Sequence, residues 1–569
     1  MGGLGRLGSP RLLSTETRSA TGSYSSSALL TAIFATAAVS GIGGFVYATG
    51  NIPIFVGVGA SNANRATSTI SQYGSSDDFK IGVEELRASF ADGMVSTNPD
   101  DLLSHGISAN VWHAGLPHTV VVYPACTEDV VKVVKIANKY RMPVIPYSGA
   151  TSIEGQFLGN EYGGICVDVS GMDKILEINE ADSDVVCQPG LGWMDLNDIL
   201  KDKGIPLFFP LDPGPSATLG GMLSTGCSGT NAVRYGTARS EWFINATVVL
   251  PSGEVIKTRR RARKSSAGFD LTKLFIGAEG TLGIITEVTV RLAPVLPYKV
   301  ATVQFPNVRS ATDAVVEVLN KGVGIQCIEL VDTEFIKATN QLGPNAATRQ
   351  YPPTEHIFFK LQGPSASSIE ETARIVKQVA EKHGGKNWKL AKNDLEGEDM
   401  WLDRRHAYPT GLAYGGPGSK GWPTDVCVPI SKLPQLIQET QDDIKCSGLK
   451  SIIVGHAGDG NFHALIAFKN DEEREAVQKL VHNLVRRAIA LDGTCTGEHG
   501  VGISKKEFLY DELGEGTVEL MKTIKRAIDP LGLFNPGKVR LRLTFYSKVL
   551  LACTYKLSKK FCSSTAVSR

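Results

Sequence analysis

His456 and His463 stand seven residues apart and bracket Ala457-Gly458-Asp459-Gly460-Asn461-Phe462. On one helix that spacing covers about 10.5 Å, too far for two rings to share an ion. Gly458 and Gly460 break a helix in any case, so a turn that folds the chain back is expected, bringing both imidazoles to one point. Thr496-Gly497-Glu498-His499-Gly500 adds a carboxylate and a further imidazole. Two histidines and one carboxylate leave open positions on a divalent ion, as catalytic sites require. His456, His463 and Glu498 are therefore the candidate ligands. His499, with an ordinary pKa near neutrality, is the candidate proton acceptor. On these residues alone, metal-dependent hydrolysis and oxidation both remain open.

The chain that must position them has 569 residues, enough for two or three domains. Its 42% hydrophobic and 21% charged content is that of a globular protein, and a net charge of +1 gives no general pull on nucleic acid. The basic run 257–264 is the local exception, read as a solvated loop or as a contact with an anionic membrane. None of the ten cysteines forms a Cys-x-x-Cys pair, which argues against zinc ribbons and dithiol redox centres.

Residues 1–26 carry Arg6, Arg11 and Arg18 against one acid, Glu16, the composition of a mitochondrial presequence. Residues 27–50 contain no charge and are long enough to span a bilayer; a longer cleaved sorting signal is the rival reading. With the arginines in the matrix, such a span places the body of the protein across the inner membrane, facing the intermembrane space. Residues 51–114 read as linker with short helices.

Strong fold signals begin at 119–123, a strand, followed by an amphipathic helix over 128–140 with Thr127 as its expected N-cap. A second strand at 142–146 runs into Tyr147-Ser148-Gly149-Ala150-Thr151-Ser152-Ile153-Glu154-Gly155. Small residues let backbone N–H groups approach an anion, and hydroxyls add donors. Glycine-rich loops recur around Pro213-Gly214, Gly220-Gly221, Ser224 to Asn231, Tyr235-Gly236 and 277–285. Together they suggest a large anionic ligand held mostly by backbone. From 296 onward, strands at 300–305, 326–331 and 356–361 alternate with helices at 310–320 and 368–382, an α+β layer with an antiparallel sheet.

In these segments the chain resembles the flavin-binding domain of vanillyl-alcohol-oxidase-type flavoenzymes. Over roughly 115–539 it is similar to the mitochondrial D-lactate dehydrogenase group, which passes electrons to cytochrome c. The resemblance implies a two-subdomain FAD-binding domain at 115–295. It also implies a ferredoxin-like α+β substrate and metal domain at 296–539 that ends in a helical segment. FAD is then expected against Ser148, Gly149, Ala150, Thr151, Ser152, Gly155, Pro213, Gly214, Gly220, Gly221, Ser224, Asn231, Tyr235, Gly236, Glu279, Gly283 and Ile285. Some relatives attach flavin through a histidine in the first loop. None stands at 149–151, so FAD is expected to be noncovalent. Ala150 departs from the glycine usual in the family.

The same resemblance makes His456, His463 and Glu498 ligands of a divalent ion such as zinc, and His499 the base. Arg404 becomes the residue that binds the substrate carboxylate, with Arg405 as its rival. The implied reaction is oxidation of D-lactate to pyruvate, with hydride passing to the flavin and electrons to cytochrome c. Leu465 stands where the D-2-hydroxyglutarate branch has asparagine, which favours a short apolar substrate, although other D-2-hydroxy acids and other acceptors stay open. A metal-dependent hydrolase and a noncatalytic membrane-anchored binding protein are the alternatives from other classes. Residues 540–569, basic and without Asp or Glu, lie beyond the resemblance and read as a flexible tail or a peripheral membrane contact.

Overall fold

The computed structural model describes residues 72–539 apart from residue 109. The expected presequence, membrane span and basic tail lie outside the described residues. Among the described residues, no helix is long and apolar enough to cross a membrane.

The architecture is α+β, as expected. A four-stranded sheet has the order Val95–Ser96, Val120–Val122, Ile165–Asp168, Val144–Tyr147. Its last three strands are parallel, and Val120–Val122 and Ile165–Asp168 are wholly buried, so they read as unbroken apolar runs rather than alternating ones. Helix Thr127–Tyr140 connects them and buries Val130, Val133, Val134 and Ala137 at helical spacing. Thr127 is not its N-cap. Cys126 occupies that position with extended backbone, and the Thr127 hydroxyl donates instead to Thr286 Oγ1 at 2.9 Å. Helix Ser76–Ser89, within the stretch expected as linker with short helices, lays Phe79, Val83 and Leu86 into the same core. So does the far end of the chain: Leu533 and Phe534 are fully buried there, with Val144 N–H donating to the Leu533 carbonyl and Asn535 N–H to the Val144 carbonyl.

A five-stranded antiparallel sheet follows, ordered Ile175–Asn179, Asp184–Cys187, Ile284–Arg291, Phe243–Val249, Val255–Lys257. The basic run beyond it is partly structural. Arg261 pairs with Asp182 at 2.7 Å and Asp184 at 2.9 Å, and Arg259 Nε donates to the Ile244 carbonyl.

The third major sheet has eight antiparallel strands. Its central members are Tyr298–Phe305, Glu355–Gln362, Ile325–Val331, Ser451–His456 and Asn461–Phe468. Helices Val308–Asn320, Ala366–Lys382, Leu433–Ser447 and Asp471–Ala490 pack into a large apolar core on one face. Val308–Asn320 shows why: Val308, Ala311, Val315 and Val318 form one stripe, and the Asn307 side chain caps the helix by accepting from Ser310 N–H. The other face carries Cys327, Glu329, His456 and His463 and is covered in part by helices Thr333–Leu342, Asp394–Arg405 and Ala407–Gly415. The expected C-terminal helical segment is Leu509–Ile528, which breaks at Gly514, a left-handed residue (φ 77°).

Asp332 caps Thr333–Leu342 by accepting from Phe335 N–H, and burial pushes its carboxyl up to about 7 despite those donors. A carboxyl raised on folding stabilises the fold fully below its unfolded pKa, and that contribution is lost as pH rises through 7. Asn keeps the cap and cannot ionise. Asp332→Asn is therefore expected to raise Tm at pH 8 and to change it little at pH 4. Equal shifts at both pH values in thermal melts would sink this account.

Candidate functional site

The expected turn is a β-hairpin. Strands Ser451–His456 and Asn461–Phe468 pair in register, with His456 opposite Asn461 and His463 opposite Val454. Gly460 makes the turn possible: its φ is 78°, and an added Cβ would lie 2.0 Å from the Val428 carbonyl. Alternation then places both rings on one face. Each ring is fixed by its Nδ1–H, which for His456 donates to Glu329 Oε1 at 2.8 Å and for His463 to the Thr424 carbonyl at 2.9 Å. Both Nε2 atoms are left facing Glu498 Oε1, at 3.3 Å from His456 and 3.0 Å from His463.

This arrangement fits a divalent cation. The three candidate ligand atoms lie within 4.8 Å of one another, and Glu498 Oε2 is buried without a hydrogen-bond partner. Nδ1 donation to a carboxylate or carbonyl fixes the tautomer a ligating imidazole needs. The electrostatics agree. Burial opposes charge on Glu498, yet His456 and His463 outweigh it and hold the carboxyl well below its ordinary range. Burial likewise opposes charge on His456, but Glu329 and Glu498 raise its proton affinity well above normal. The cluster draws positive charge to one point.

His499 stacks on His463 with centroids 4.9 Å apart and planes 14° from parallel. Its Nδ1 is buried and unpartnered, 3.8 Å from Glu154, too long for a hydrogen bond. Burial works against its protonation, while Asp425, Glu154 and Glu498 raise its pKa. Asp425 holds the whole segment: one of its oxygens accepts from the backbone N–H groups of Glu498 and His499, each at 2.9 Å. Burial would neutralise Asp425, but His499, Lys505 and His463 keep it well below its usual range. Arg404 is buried and donates to Glu329 Oε2 at 2.6 Å, so one carboxylate bridges the arginine and His456. Arg405, its rival, is exposed. Leu465 does not face the cavity; it packs in an apolar cluster with Trp401, Ile452 and Val454, against Gly411 and Gly421.

His499 and Glu498 also line a cavity whose other walls come mostly from the first half of the structure. Its walls include Ser148, Gly149, Ala150, Thr151, Ser152, Pro213, Gly214, Gly220, Gly221, Ser224, Glu279, Gly283 and Ile285. Four residues expected there lie off it. Gly155 packs against Ile503 and Leu158. Asn231 is buried and donates to the Pro210 carbonyl. The Tyr235 hydroxyl donates to Gln362 Oε1, and Gly236 ends helix Ala232–Tyr235. Glycine content alone does not say which backbone faces a ligand.

The cavity suits FAD. Hydroxyls of Ser148, Thr151, Ser152, Thr218 and Ser224 line it beside the glycine backbone and can donate to an anion, with Ser148 and Thr218 already hydrogen-bonded to each other at 2.8 Å. The walls close tightly because Gly149 and Gly220 lack side chains; an added Cβ would lie 2.6 Å from the Ser216 carbonyl and 2.4 Å from Pro189 Cβ. Ala150 adopts left-handed backbone (φ 51°), the conformation the family's glycine would supply.

Sequence reasoning missed Glu329, Asp425, Gln156, Thr218 and Asn535. Glu329 stands inside an apolar strand and Asp425 directly before one, positions that local pattern does not distinguish from the surface.

The FAD binding domain family matches residues 118–259, and the family of FAD linked oxidases, C-terminal domain, matches residues 297–539. The chain is 42% identical to a mitochondrial D-lactate dehydrogenase [cytochrome] of Arabidopsis thaliana, over 80% of this chain and 79% of that protein. It is 43% identical to D-lactate dehydrogenase [cytochrome] 1, mitochondrial, of Saccharomyces cerevisiae, over 74% of this chain and 72% of that one. Among solved structures, 4-ethylphenol oxidase from Gulosibacter chungangensis shares the fold at a TM-score of 0.68 and 18% identity, over 82% of this chain and 98% of that chain.

Proposed function

This chain belongs to the FAD-linked oxidases, in the group of mitochondrial D-lactate dehydrogenases (cytochrome), and from that membership we propose that it oxidises D-lactate to pyruvate with noncovalent FAD, a divalent cation such as zinc, and cytochrome c as electron acceptor. The observation that carries the reading is the His456–His463–Glu498 cluster meeting His499 at the wall of the FAD cavity. A hydrolase would need the cluster but not the cavity.

When bound, FAD supplies a hydride acceptor and the cation supplies charge that lowers the pKa of a nearby hydroxyl. His456, His463 and Glu498 would hold the cation. His499, whose ring lines the cavity, takes the hydroxyl proton. Glu154 and Asp425, beside the ring, stabilise the imidazolium that results. Arg404 would bind the substrate carboxylate with the guanidinium nitrogens that Glu329 leaves free; its Nε is buried and unpartnered. No histidine stands in the 147–155 loop, which supports noncovalent FAD. The enclosed Leu465 gives no contact that measures substrate length, so a panel of D-2-hydroxy acids must set the range.

Anaerobic mixing of purified protein with D-lactate is expected to bleach the flavin absorbance, and cytochrome c to restore it. L-lactate should do neither, and a chelator should block the bleaching. Protein without flavin, or bleaching by D-2-hydroxyglutarate alone, would defeat the proposal. The Arg-rich 1–26 segment and uncharged 27–50 segment support an inner-membrane enzyme with its catalytic part in the intermembrane space. Protection from protease in intact mitochondria, lost on rupture of the outer membrane, is the corresponding expectation.

A further inference from the structure

We propose that Gln156, Glu279 and Asn535 couple the FAD cavity to the cation cluster, so that each ligand slows the release of the other. The inference rests on the binding of both ligands proposed above. All three residues line the cavity. Two of them also grip the loop that carries Glu498 and His499. Glu279 accepts from Val501 N–H at 2.6 Å and from Gly502 N–H at 2.8 Å, across more than 220 residues of sequence. Gln156 Nε2 donates to the His499 carbonyl at 2.7 Å. Asn535 ties the two together, its Nδ2 donating to the Gln156 carbonyl at 2.9 Å and the Glu279 carbonyl at 2.7 Å.

The loop is pressed onto this clamp. Gly500 has a φ of 80°, and an added Cβ would lie 2.5 Å from Glu279 Oε1 and 2.9 Å from Gln156 Nε2. Glu279 itself holds left-handed backbone (φ 51°), a conformation that persists in a non-glycine residue only where its surroundings fix it. An occupant of the cavity restrains Gln156 and Glu279, and through them residues 499–502. A cation on Glu498 restrains the same loop from its other end. Two ligands that order one shared element favour each other, and the factor is the same in both directions. Gln156 and Glu279 are positioning residues in this account, acting on the ligands through the loop.

The test uses the holoenzyme. FAD release is followed by the recovery of free-flavin fluorescence, with saturating Zn²⁺ and after chelation. In the unaltered protein, chelation should speed release at least about fivefold, the low end of typical coupling between sites. In Glu279→Gln and in Gln156→Leu the ratio of the two rates should fall to about two or less. A purely structural loss would speed release in both conditions and leave the ratio unchanged. If one variant does not fold, the other carries the test alone. Protein that binds no FAD, or no cation that His463→Ala displaces, overturns the function proposed above together with this coupling. Both ligands bound, with a release rate indifferent to chelation or a ratio preserved in the variants, overturns the coupling alone.

Discussion

His499→Ala is expected to lower the rate of flavin reduction by D-lactate about 10²- to 10⁴-fold, the usual range for a general base, while the bound-flavin spectrum stays that of the unaltered protein. The two halves of this expectation have separate causes. Among the described residues, His499 is the only imidazole that lines the cavity, so its removal takes away the proposed base and leaves only carboxylates there. The backbone at 499 is held independently of the ring: Asp425 accepts from its N–H and Gln156 donates to its carbonyl. The loop should therefore stay where it is, and FAD with it. Stopped-flow bleaching under anaerobic conditions measures the step directly. A fall of less than tenfold would move the proton acceptor elsewhere.

Glu329→Ala is expected to be the most damaging single change in the second half of the protein. One buried carboxylate balances the Arg404 guanidinium and orients the His456 ring. Taking it away leaves buried positive charge unpaired, which costs about 3–5 kcal/mol. A carboxylate that accepts from the far nitrogen of a ligating histidine also contributes about 10- to 100-fold to metal affinity. Loss of both stability and bound cation is therefore expected, measured by denaturant unfolding and by metal content after dialysis. Glu329→Gln, which keeps one acceptor oxygen and the side-chain volume, should lose less of each. An alanine variant that unfolds within about 1 kcal/mol of the unaltered protein would show the bridge to be dispensable.

Glu329 marks the limit of what the sequence discloses. The hairpin was legible because Gly458 and Gly460 between two histidines admit little but a turn. The strands at 120–122 and 325–331 were legible from their apolar runs. Glu329 sits inside one such run, Cys327-Ile328-Glu329-Leu330-Val331, where a lone acid reads as a surface position. Its role depends on a register that sets Glu329 opposite His456, 127 residues away, and on a helix that swings Arg404 over the same face. Neither follows from local pattern. The flavin loops show the complementary failure. Glycine and hydroxyl content located the cavity at Gly149, Gly220 and Ser224, but equally marked Asn231 and Gly236, whose neighbours are protein. Thr127 misled for a smaller reason: a good capping residue next to the helix start lost the position to Cys126 by one residue.

Phe534, wholly buried beneath the first parallel strands, bears on how the polypeptide is made. Ribosomes release Val120, Val144 and Ile165 some 370 to 410 residues before the segment that completes their hydrogen bonding and packing. The flavin half is thus first to emerge and last to close, and during synthesis it must wait with an open seam that chaperones can occupy. A premature stop between codons 529 and 533 would leave the hairpin, the helices of the second half and the histidines intact in sequence, yet deprive the earliest-made layer of a buried phenylalanine whose loss costs about 3–5 kcal/mol. Truncated products should for that reason be cleared by quality-control proteases rather than accumulate as flavin-free enzyme.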